Sequence, residues 1–314
     1  MDVVVLSRSD VESLLDLGAL VDALADGFVR LSAGEASVPP RVAAASGAGF
    51  VAAMPGFLPG AGLEVKLVSV FPGNGERGLP SHQALICVFS PETGTPLAVM
   101  DGEHITAVRT AAASALACRV LAREDASVLA VLGAGVQGAA HLVAVGSVRG
   151  FTSIRVASRT FAHAAALAAS DARCVAVESF EAAVRGADVV CCCTDAGAPV
   201  LQRSWLAEGA HVSSVGASAS GPEVDAETIA AALVCVESRV ACSPWPAGAH
   251  ELAEVDAASV VELGEVLSGA RAGRTSASQL TVWKSMGHAV EDAVAAGMVL
   301  AAARASWAGQ VVRL

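Results

Sequence analysis

Short apolar runs alternate with helical patterns through the central part of this 314-residue chain. Apolar runs bounded by turn residues are typical of buried strands, whereas apolar positions about every three or four residues are typical of helices. The strands predicted in this way are 128–132, 153–157, 174–177, 188–194, 211–215 and 233–237. The helices predicted between them include 137–145, 162–169, 180–185 and 225–232. Strands separated by single helices form right-handed crossovers, so we expect a doubly wound parallel sheet of the α/β class.

The N-terminal part has a different pattern. Residues 63–71 (LEVKLVSVF) form one predicted strand, and residues 82–89 can pair with 96–101 across the turn sequence SPETGT. An alanine-rich helix is predicted over 106–122 and leads into the parallel sheet. We therefore expect a smaller, antiparallel α+β domain in addition to the α/β domain.

Composition excludes several classes of protein. The net charge of −11 argues against a nucleic-acid partner, because phosphate backbones require a basic face. Charged residues interrupt every long apolar run, for example Arg149, Arg155, Glu291 and Asp292, so no membrane span is expected. The N-terminus MDVVVLSRSD has an acid where a signal peptide has a base, which favours a cytoplasmic protein.

The eight cysteines and seven histidines do not predict a metal site. Cys191, Cys192 and Cys193 are adjacent and therefore point to alternate faces of a strand, and the chain has no CxxC pair. The histidines lack a ligand spacing such as HxxxH. We expect reduced cysteines in the core and no bound metal.

A glycine-rich loop with GxGxxG spacing follows the predicted strand 128–132 and opens a helix. Its glycines are Gly133, Gly135 and Gly138. In this context the first glycine permits a tight turn, the second lets the backbone approach a pyrophosphate, and the third allows close packing of the helix. The N–H groups at the start of the helix can bind the phosphates. The loop predicts a dinucleotide cofactor.

The end of the next strand indicates which dinucleotide. An enzyme that uses NAD usually has an acid there that binds the ribose 2′-hydroxyl. This chain has Ser158, Arg159 and Thr160 instead. An arginine flanked by hydroxyl groups can pair with a 2′-phosphate, so NADP(H) is favoured over NAD(H).

Taken together, several segments resemble the ornithine cyclodeaminase/mu-crystallin family. They are VKLVSVFPGN (65–74), LPSHQA (79–84), TGTPLAVMDG (93–102), ITAVRTAAASALA (105–117), LGAGVQ (132–137), ASRT (157–160), GAHVSSVGAS (209–218), LGEVLSGARAGR (263–274) and TVWKSMGHAVED (281–292). The resemblance implies a discontinuous substrate and dimerisation domain, 1–113 plus 289–314, and a dinucleotide-binding domain, 114–288. It also implies a homodimer.

The same resemblance implies an enzyme that uses a nicotinamide cofactor on a small amino or imino acid. The basic residues that match the family's substrate site are Arg41, Lys66 and Arg109, and a cationic clamp of this kind can orient a substrate carboxylate. From the sequence alone, Lys66 could equally pair with Glu64 on the same strand face, and Arg109 could be solvated. His82 is a further substrate-binding candidate, because histidine titrates near neutral pH and can transfer protons.

The predicted site residues are completed by Ser218 and by a set that binds the cofactor. Cyclodeaminases have an aspartate at the position of Ser218, and Asp225 matches a later structural acid. The candidate catalytic residues of this chain, as the resemblance implies them, are Lys66, Arg109 and Ser218. The predicted cofactor-binding residues are Gly133, Gly135, Val136, Gln137, Gly138, Ser158, Arg159, Thr160, Thr194, Val215 and Ser285.

Three functions agree with this pattern. The first is an oxidoreductase that transfers a hydride between NADP(H) and a small imino or amino acid. The second is an ornithine cyclodeaminase, a lyase that uses NAD+ catalytically. The third is a protein that binds the cofactor without turnover. A serine hydroxyl is a poor base at neutral pH, which favours the oxidoreductase.

Overall fold

A computed structural model describes all residues, 1–314, and divides into two compact units. The first unit contains Met1–Arg109 and His288–Leu314, and the second contains Thr110–Gly287. The chain therefore leaves the first unit and returns to it at the C-terminus.

The chain forms fifteen strands and nine α-helices. The strands are β1 (Asp2–Leu6), β2 (Val42–Ser46), β3 (Gly49–Leu58), β4 (Gly62–Val70), β5 (His82–Phe89), β6 (Pro96–Asp101), β7 (Val128–Leu132), β8 (Ser153–Ala157), β9 (Cys174–Ala176), β10 (Val189–Cys192), β11 (His211–Ser214), β12 (Leu233–Val236), β13 (Val261–Glu262), β14 (Thr281–Lys284) and β15 (Gln310–Arg313). The helices are α1 (Arg8–Leu14), α2 (Leu17–Ser32), α3 (Gly102–Leu121), α4 (Val136–Ser147), α5 (Phe161–Ala168), α6 (Phe180–Val184), α7 (Ala226–Ala231), α8 (Leu263–Leu267) and α9 (Ala289–Ser306).

The first unit is built on a seven-stranded sheet in the order β15-β1-β6-β5-β4-β3-β2. The predicted hairpin of β5 and β6 is present, and Gly94 in its turn has a φ of 69°, which a glycine adopts without strain. The three predicted strands, β4, β5 and β6, pair in the expected antiparallel direction, whereas β1 pairs with β6 in the parallel direction. Strands β1, β2, β3 and β15 and helices α1 and α2 were not predicted.

Helix α9 packs against β3, β4 and α2. A Cβ on Gly297 would lie 2.1 Å from the carbonyl oxygen of Ala61, so only glycine allows the helix to come this close to the turn after β3. Along β4, the buried side chains are Glu64, Lys66 and Val68, in the alternation expected of a half-buried strand. Two of these three core positions have ionisable side chains.

The second unit is built on an eight-stranded, fully parallel sheet in the order β13-β12-β14-β11-β10-β7-β8-β9. The α/β doubly wound prediction is confirmed, and all six predicted strands are present with slightly shorter ends. The sheet has two more strands than expected. One of them, β14, lies between β11 and β12 in the middle of the sheet.

The helices of this unit agree with the predicted ones to within about two residues at each end, which is the usual uncertainty of helix ends. The predicted helix 106–122 is α3, which begins four residues earlier, at Gly102. All eight cysteines are free thiols, and Cys191 and Cys192 are buried in β10. None of the helices is long and apolar enough to span a membrane.

Candidate functional site

Four charged side chains form a buried cluster in the first unit. Lys66 Nζ donates a hydrogen bond to Asp292 Oδ2 at 2.7 Å. Arg109 donates from Nε to Asp292 Oδ1 at 3.0 Å and from Nη1 to Glu291 Oε2 at 2.7 Å. None of the four residues is more than 3% exposed to solvent. The cluster therefore holds two cations and two carboxylates out of water.

Three elements bring these side chains together. Lys66 lies on the α9-facing side of β4, and Arg109 lies in the second turn of α3. Glu291 and Asp292 lie in the first turn of α9, where the helix dipole favours negative charge. His288 caps this helix, accepting the N–H of Val290 at 3.3 Å on Nδ1. The acids are thus held at a helix N-terminus that faces the strand.

Burial and neighbouring charges shift the pKa values of the cluster. Burial, and secondarily the charge of Arg109, lowers the pKa of Lys66 to about 8, although Asp292 favours its charged form. Burial alone would raise the pKa of Asp292, but Arg109 and Lys66 together bring that pKa below its usual value. Asp292 is therefore an anion at neutral pH, and Lys66 can change its protonation state near neutral pH.

The predicted substrate-binding residue His82 and the capping residue His288 lie within electrostatic reach of the cluster. Burial, Lys66 and Arg109 lower the pKa of His82 to about 4. Burial also lowers the pKa of His288 to about 4, and the charges of Arg109 and Arg41 contribute. Both histidines are neutral at pH 7, so the expectation that His82 titrates near neutral pH was wrong, because burial first and then Lys66 and Arg109 lower the pKa of its imidazole.

The structure also corrects the readings that the sequence left open for Lys66 and Arg109. Lys66 pairs with Asp292 on α9 and not with Glu64 on its own strand. Arg109 is buried in two ion pairs and is not a solvated surface residue. Sequence reasoning treated Glu291 and Asp292 only as interruptions of an apolar run. The sequence signal that could have identified them was their position in the first turn of a helix that the capping residue His288 opens.

The glycine-rich loop lies in the second unit, between β7 and α4. Gly133 has a φ of 104°, and a Cβ there would lie 2.5 Å from the carbonyl oxygen of Cys193. A Cβ on Gly138 would lie 1.9 Å from the carbonyl oxygen of Gly133. A Cβ on Gly135 would meet nothing within 4 Å. Open space at the middle glycine, beside the N-terminus of α4, fits the pyrophosphate of a dinucleotide.

The residues predicted to recognise the 2′-phosphate follow β8. Ser158 is half-buried, Arg159 and Thr160 are exposed, and Thr160 is the N-cap residue of α5 without a side-chain capping bond. Asp195, which follows β10, lies close enough for the charge of Arg159 to act on it. Burial raises the pKa of Asp195, and Arg159 opposes that rise. Asp195 was not predicted and places a negative charge near Arg159.

A second buried network lies at the carboxyl ends of β10, β11 and β14. Glu223 accepts hydrogen bonds from the N–H and Oγ1 of Thr194 (2.7 and 2.6 Å), from Ser214 Oγ (2.7 Å) and from the Gly216 N–H (2.8 Å). Lys284 Nζ donates to Ser214 Oγ (3.1 Å), to the Gly216 carbonyl (2.6 Å) and to Glu251 Oε1 (3.1 Å). These bonds fix the strand ends.

Ligands of doubly wound sheets bind at such carboxyl ends. Three predicted cofactor-binding residues, Thr194, Val215 and Ser285, follow β10, β11 and β14 within two residues. The network residues Glu223, Glu251 and Lys284 were not predicted, because they lie on separate segments and no local pattern in the sequence connects them. What joins them is the parallel pairing of β11 with β14, which places Ser214 opposite Lys284.

Ser218 lies in the loop after β11 and is half-buried. Its Oγ accepts the N–H of Ser220 at 3.3 Å. It lines a narrow recess together with Glu251, His250, Trp245 and other residues of the second unit. The rings of Trp245 and His250 are stacked with centroids 4.9 Å apart.

Asp225 precedes α7 and accepts the N–H of Arg203 at 3.1 Å, a structural contact. No group of His, Cys, Asp and Glu side chains is arranged to hold a metal ion.

The parallel sheet and glycine loop define a dinucleotide-binding protein. Residues 1–306 match the model of the ornithine cyclodeaminase/mu-crystallin family, and the chain belongs to this family. It is 40% identical over 254 residues to ketimine reductase mu-crystallin of Mus musculus, which covers 80% of each chain.

Two solved structures are similar along their whole length. One is Δ1-pyrroline-2-carboxylate reductase of Thermococcus litoralis in complex with NADH and L-proline, with a TM-score of 0.92 and 33% identity over 98% of this chain and 100% of that chain. The other is an archaeal alanine dehydrogenase dimer with bound NAD, with a TM-score of 0.91 and 29% identity over 100% of both chains.

Proposed function

We propose that this enzyme reduces a small imino acid with NADPH, or oxidises the matching amino acid in the reverse direction. The observation that carries the proposal is the buried pair of Lys66 and Asp292, with Arg109 bonded to the same carboxylate. Relatives that reduce ketimines and pyrroline carboxylates support it. A nicotinamide dinucleotide is the cofactor, and it supplies or accepts the hydride.

Lys66 and Arg109 bind the substrate carboxylate in this proposal, and Arg41 and His82 contribute to the same substrate site. Charge-assisted hydrogen bonds from an ammonium and a guanidinium hold a carboxylate in a defined orientation. Reduction of an imine also consumes one proton. The pKa of Lys66, about 8, allows it to donate that proton near neutral pH and to recover it afterwards.

Preference for NADPH rests on Arg159 with the hydroxyl groups of Ser158 and Thr160. The exposed guanidinium of Arg159 lies at the end of β8, the position where such enzymes distinguish the two cofactors. The nearby carboxylate of Asp195 weakens the attraction but does not cancel it, because Asp195 is only partly buried and its charge is screened by solvent.

The loop around Ser218 supports a second candidate, ornithine cyclodeamination. The carboxylate of Glu251 lines the same recess as Ser218, so an acid is available there although the family aspartate is absent. Glu251 is ion-paired with Lys284 at 3.1 Å, however, so its carboxylate already has a buried cation as its partner. Retention of the cofactor without turnover is the third possibility.

One screen separates the three functions. Proline, alanine, ornithine, lysine and cyclic imino acids are assayed with NAD(H) and with NADP(H). The proposed function predicts net NADPH consumption with an imino acid and little ammonia from ornithine. Robust proline and ammonia formation with catalytic NAD+ would establish the lyase instead. Cofactor binding without any reaction would establish the third.

The variant Lys66→Met tests the assigned role of Lys66. We expect it to lose turnover and keep NADPH binding, since Lys66 belongs to the first unit and the glycine loop to the second. Glu76→Gln, an exposed change in the first unit, is the control and should keep turnover. An active Lys66→Met variant would return Lys66 to a structural role.

We also propose that the chain is a homodimer through an apolar row on the first unit. Val42, Ala53, Leu67 and Leu85 lie side by side across β2, β3, β4 and β5, on the face opposite α9. Val42, Leu67 and Leu85 are 67%, 39% and 51% exposed, which is unusual for a row of large apolar side chains. A second copy is the proposed occupant because the archaeal relative is a dimer.

The reduced cysteines favour a cytoplasmic location.

A further inference from the structure

Glu64 is a buried carboxyl group for which the structure provides no hydrogen-bond partner. The residue is 2% exposed, and neither of its carboxyl oxygens is hydrogen-bonded. A buried carboxylate without donors is strongly disfavoured, whereas a protonated carboxyl group tolerates such a site much better. Its surroundings therefore require an explanation.

The space for Glu64 is made by a glycine. Gly56 lies directly opposite Glu64 on β3, and a Cβ there would lie 2.9 Å from Glu64 Oε1 and 2.9 Å from the Cβ of Ala289. Glu64 is thus enclosed between β3 and the start of α9. Ala289 precedes Asp292 by three residues, so both lie on one face of α9. Glu64 and Lys66, two residues apart on β4, also share a face.

The charges around Glu64 are already balanced. Lys66 faces it from β4, Arg109 from α3, and Asp292, with Glu291 beside it, from α9. Cys87 on β5 is affected by its charge, and β3 contributes no titratable group. Two cations and two carboxylates have a net charge of zero, so no positive charge remains to neutralise a third carboxylate. Burial first, and then Asp292, raises the pKa of Glu64 to about 9, against the opposing effect of Lys66 and Arg109.

We propose that Glu64 is a positioning residue, a neutral buried acid that shares one dissociable proton with Lys66 and so controls how far Lys66 is protonated. Loss of one proton from the cluster can leave a neutral Lys66 amine beside a Glu64 carboxylic acid, or a Lys66 ammonium beside a Glu64 carboxylate. The two states have the same net charge and exchange by transfer of one proton. Such groups titrate as a pair and not individually.

The consequence for turnover rests on the proposed function. When Lys66 has donated its proton to the substrate, Glu64 can release its proton to solvent while Lys66 takes one up from solvent, because the Glu64 carboxylate favours the ammonium form of Lys66. Ionisation of Glu64 therefore keeps part of the Lys66 population charged at pH values above the pKa of Lys66.

The composition of the chain makes the proposal directly measurable. Lys66 and Lys284 are its only two lysines. Lysine labelled with 13C at the ε carbon therefore gives two NMR signals, which the variant Lys284→Arg assigns. The full chain is titrated between about pH 6 and pH 11. In the wild type we expect the Lys66 signal to change in two phases, because the second phase follows ionisation of Glu64.

In Glu64→Gln we expect a single phase with the midpoint lowered by about half a pH unit or more, since no anion can form beside Lys66. Lys284 is the internal reference, and Glu76→Gln, an exposed change in the same unit, is the matched control. Glu64→Ala replaces Glu64→Gln if that variant does not fold. Identical Lys66 titrations in the wild type and the Glu64 variant would overturn the proposal.

Infrared spectroscopy tests the protonation of Glu64 without any assay of turnover. The wild type at neutral pH should show the carbonyl band of a protonated carboxyl group, shifted by 13C labelling of glutamate and absent in Glu64→Gln. A wild type without this band would show that Glu64 is ionised and would overturn the proposal. Failure of the proposed function would leave both spectroscopic results unchanged, so the two failures are distinguishable.

Discussion

Lys66 and Asp292 form an ion pair from which water is excluded. The Nζ–Oδ2 distance is 2.7 Å, and the side chains are 2% and 0% exposed. Asp292 also accepts a hydrogen bond from Arg109, so one carboxylate orients Lys66 and Arg109, the two cations that we propose bind the substrate. Removing it leaves two buried positive charges, with Glu291 and the unbonded carboxyl group of Glu64 as the remaining acids.

We predict that Asp292→Asn lowers the free energy of unfolding by about 3–5 kcal/mol, the usual cost of breaking a buried ion pair by removing one partner. It should also lower the pKa of Lys66 further, since an anion that favours the ammonium is lost. Urea unfolding measures the first effect, and the NMR titration described above measures the second. Asp171→Asn, which breaks a partly exposed pair with Arg173, is the control and should change stability far less.

The glycine loop provides a matched pair of variants. Gly138→Ala places a methyl group 1.9 Å from a carbonyl oxygen and should distort the loop, lowering both thermal stability and cofactor affinity. Gly135→Ala meets no atom within 4 Å, so the fold should be unchanged while cofactor affinity falls. Thermal unfolding and cofactor titration distinguish the two effects. Full affinity in Gly135→Ala would argue against close approach of the pyrophosphate at this residue.

Arg159→Ala should weaken NADPH binding and leave NADH binding nearly unchanged. Loss of a charge-assisted hydrogen bond costs roughly 1.5–3 kcal/mol, or about 10- to 150-fold in affinity. Asp195→Asn should have the opposite effect and strengthen NADPH binding, because it removes a negative charge near Arg159. Fluorescence titration with both cofactors measures each change. Equal losses for NADH and NADPH in Arg159→Ala would mean that this residue does not recognise the phosphate.

Leu85→Glu should separate the proposed homodimer into monomers. The change places a carboxylate in the apolar row on β5, where Leu85 is 51% exposed in the isolated chain. Val143→Glu, on α4 and 62% exposed, is the control and should leave the oligomeric state unchanged. Sedimentation velocity at several protein concentrations measures the result. If the wild type sediments as a monomer, the proposed dimer is wrong.

Glu64→Gln should be more stable than the wild type at neutral and alkaline pH. The pKa of Glu64 rises from its ordinary value of 4.5 to about 9 in the fold, so the folded chain keeps a proton that the unfolded chain releases. Stability from this group is complete below about pH 4.5 and falls as the pH rises towards 9, by at most about 1.4 kcal/mol per pH unit. Urea unfolding of both proteins at about pH 5, 7 and 8 should show a difference that grows with pH.

Much of the second unit could be predicted because its signals are local. Strand β7, the glycine loop and α4 are consecutive, and Gly138 is required by the carbonyl oxygen of Gly133, only five residues earlier in the chain. Strand β14 was missed for a physical reason. It has four residues and ends in a lysine, and its place in the centre of the sheet depends on β11 and β12, which are distant in sequence.

The sequence by itself determined the alternation of strands and helices, the glycine loop and the cations Lys66 and Arg109 as candidates. The first two features depend on backbone conformation and on the period of side chains within a single element, whereas Lys66 and Arg109 were selected by the family resemblance of the segments that contain them. Only the tertiary structure decided which charges meet. Asp292 lies 226 residues after Lys66 and 183 after Arg109, and Glu64, two residues from Lys66, is left without a donor. Packing between elements that are distant in sequence buries these groups. Because charges interact more strongly away from water, the few contacts of each group determine its protonation state.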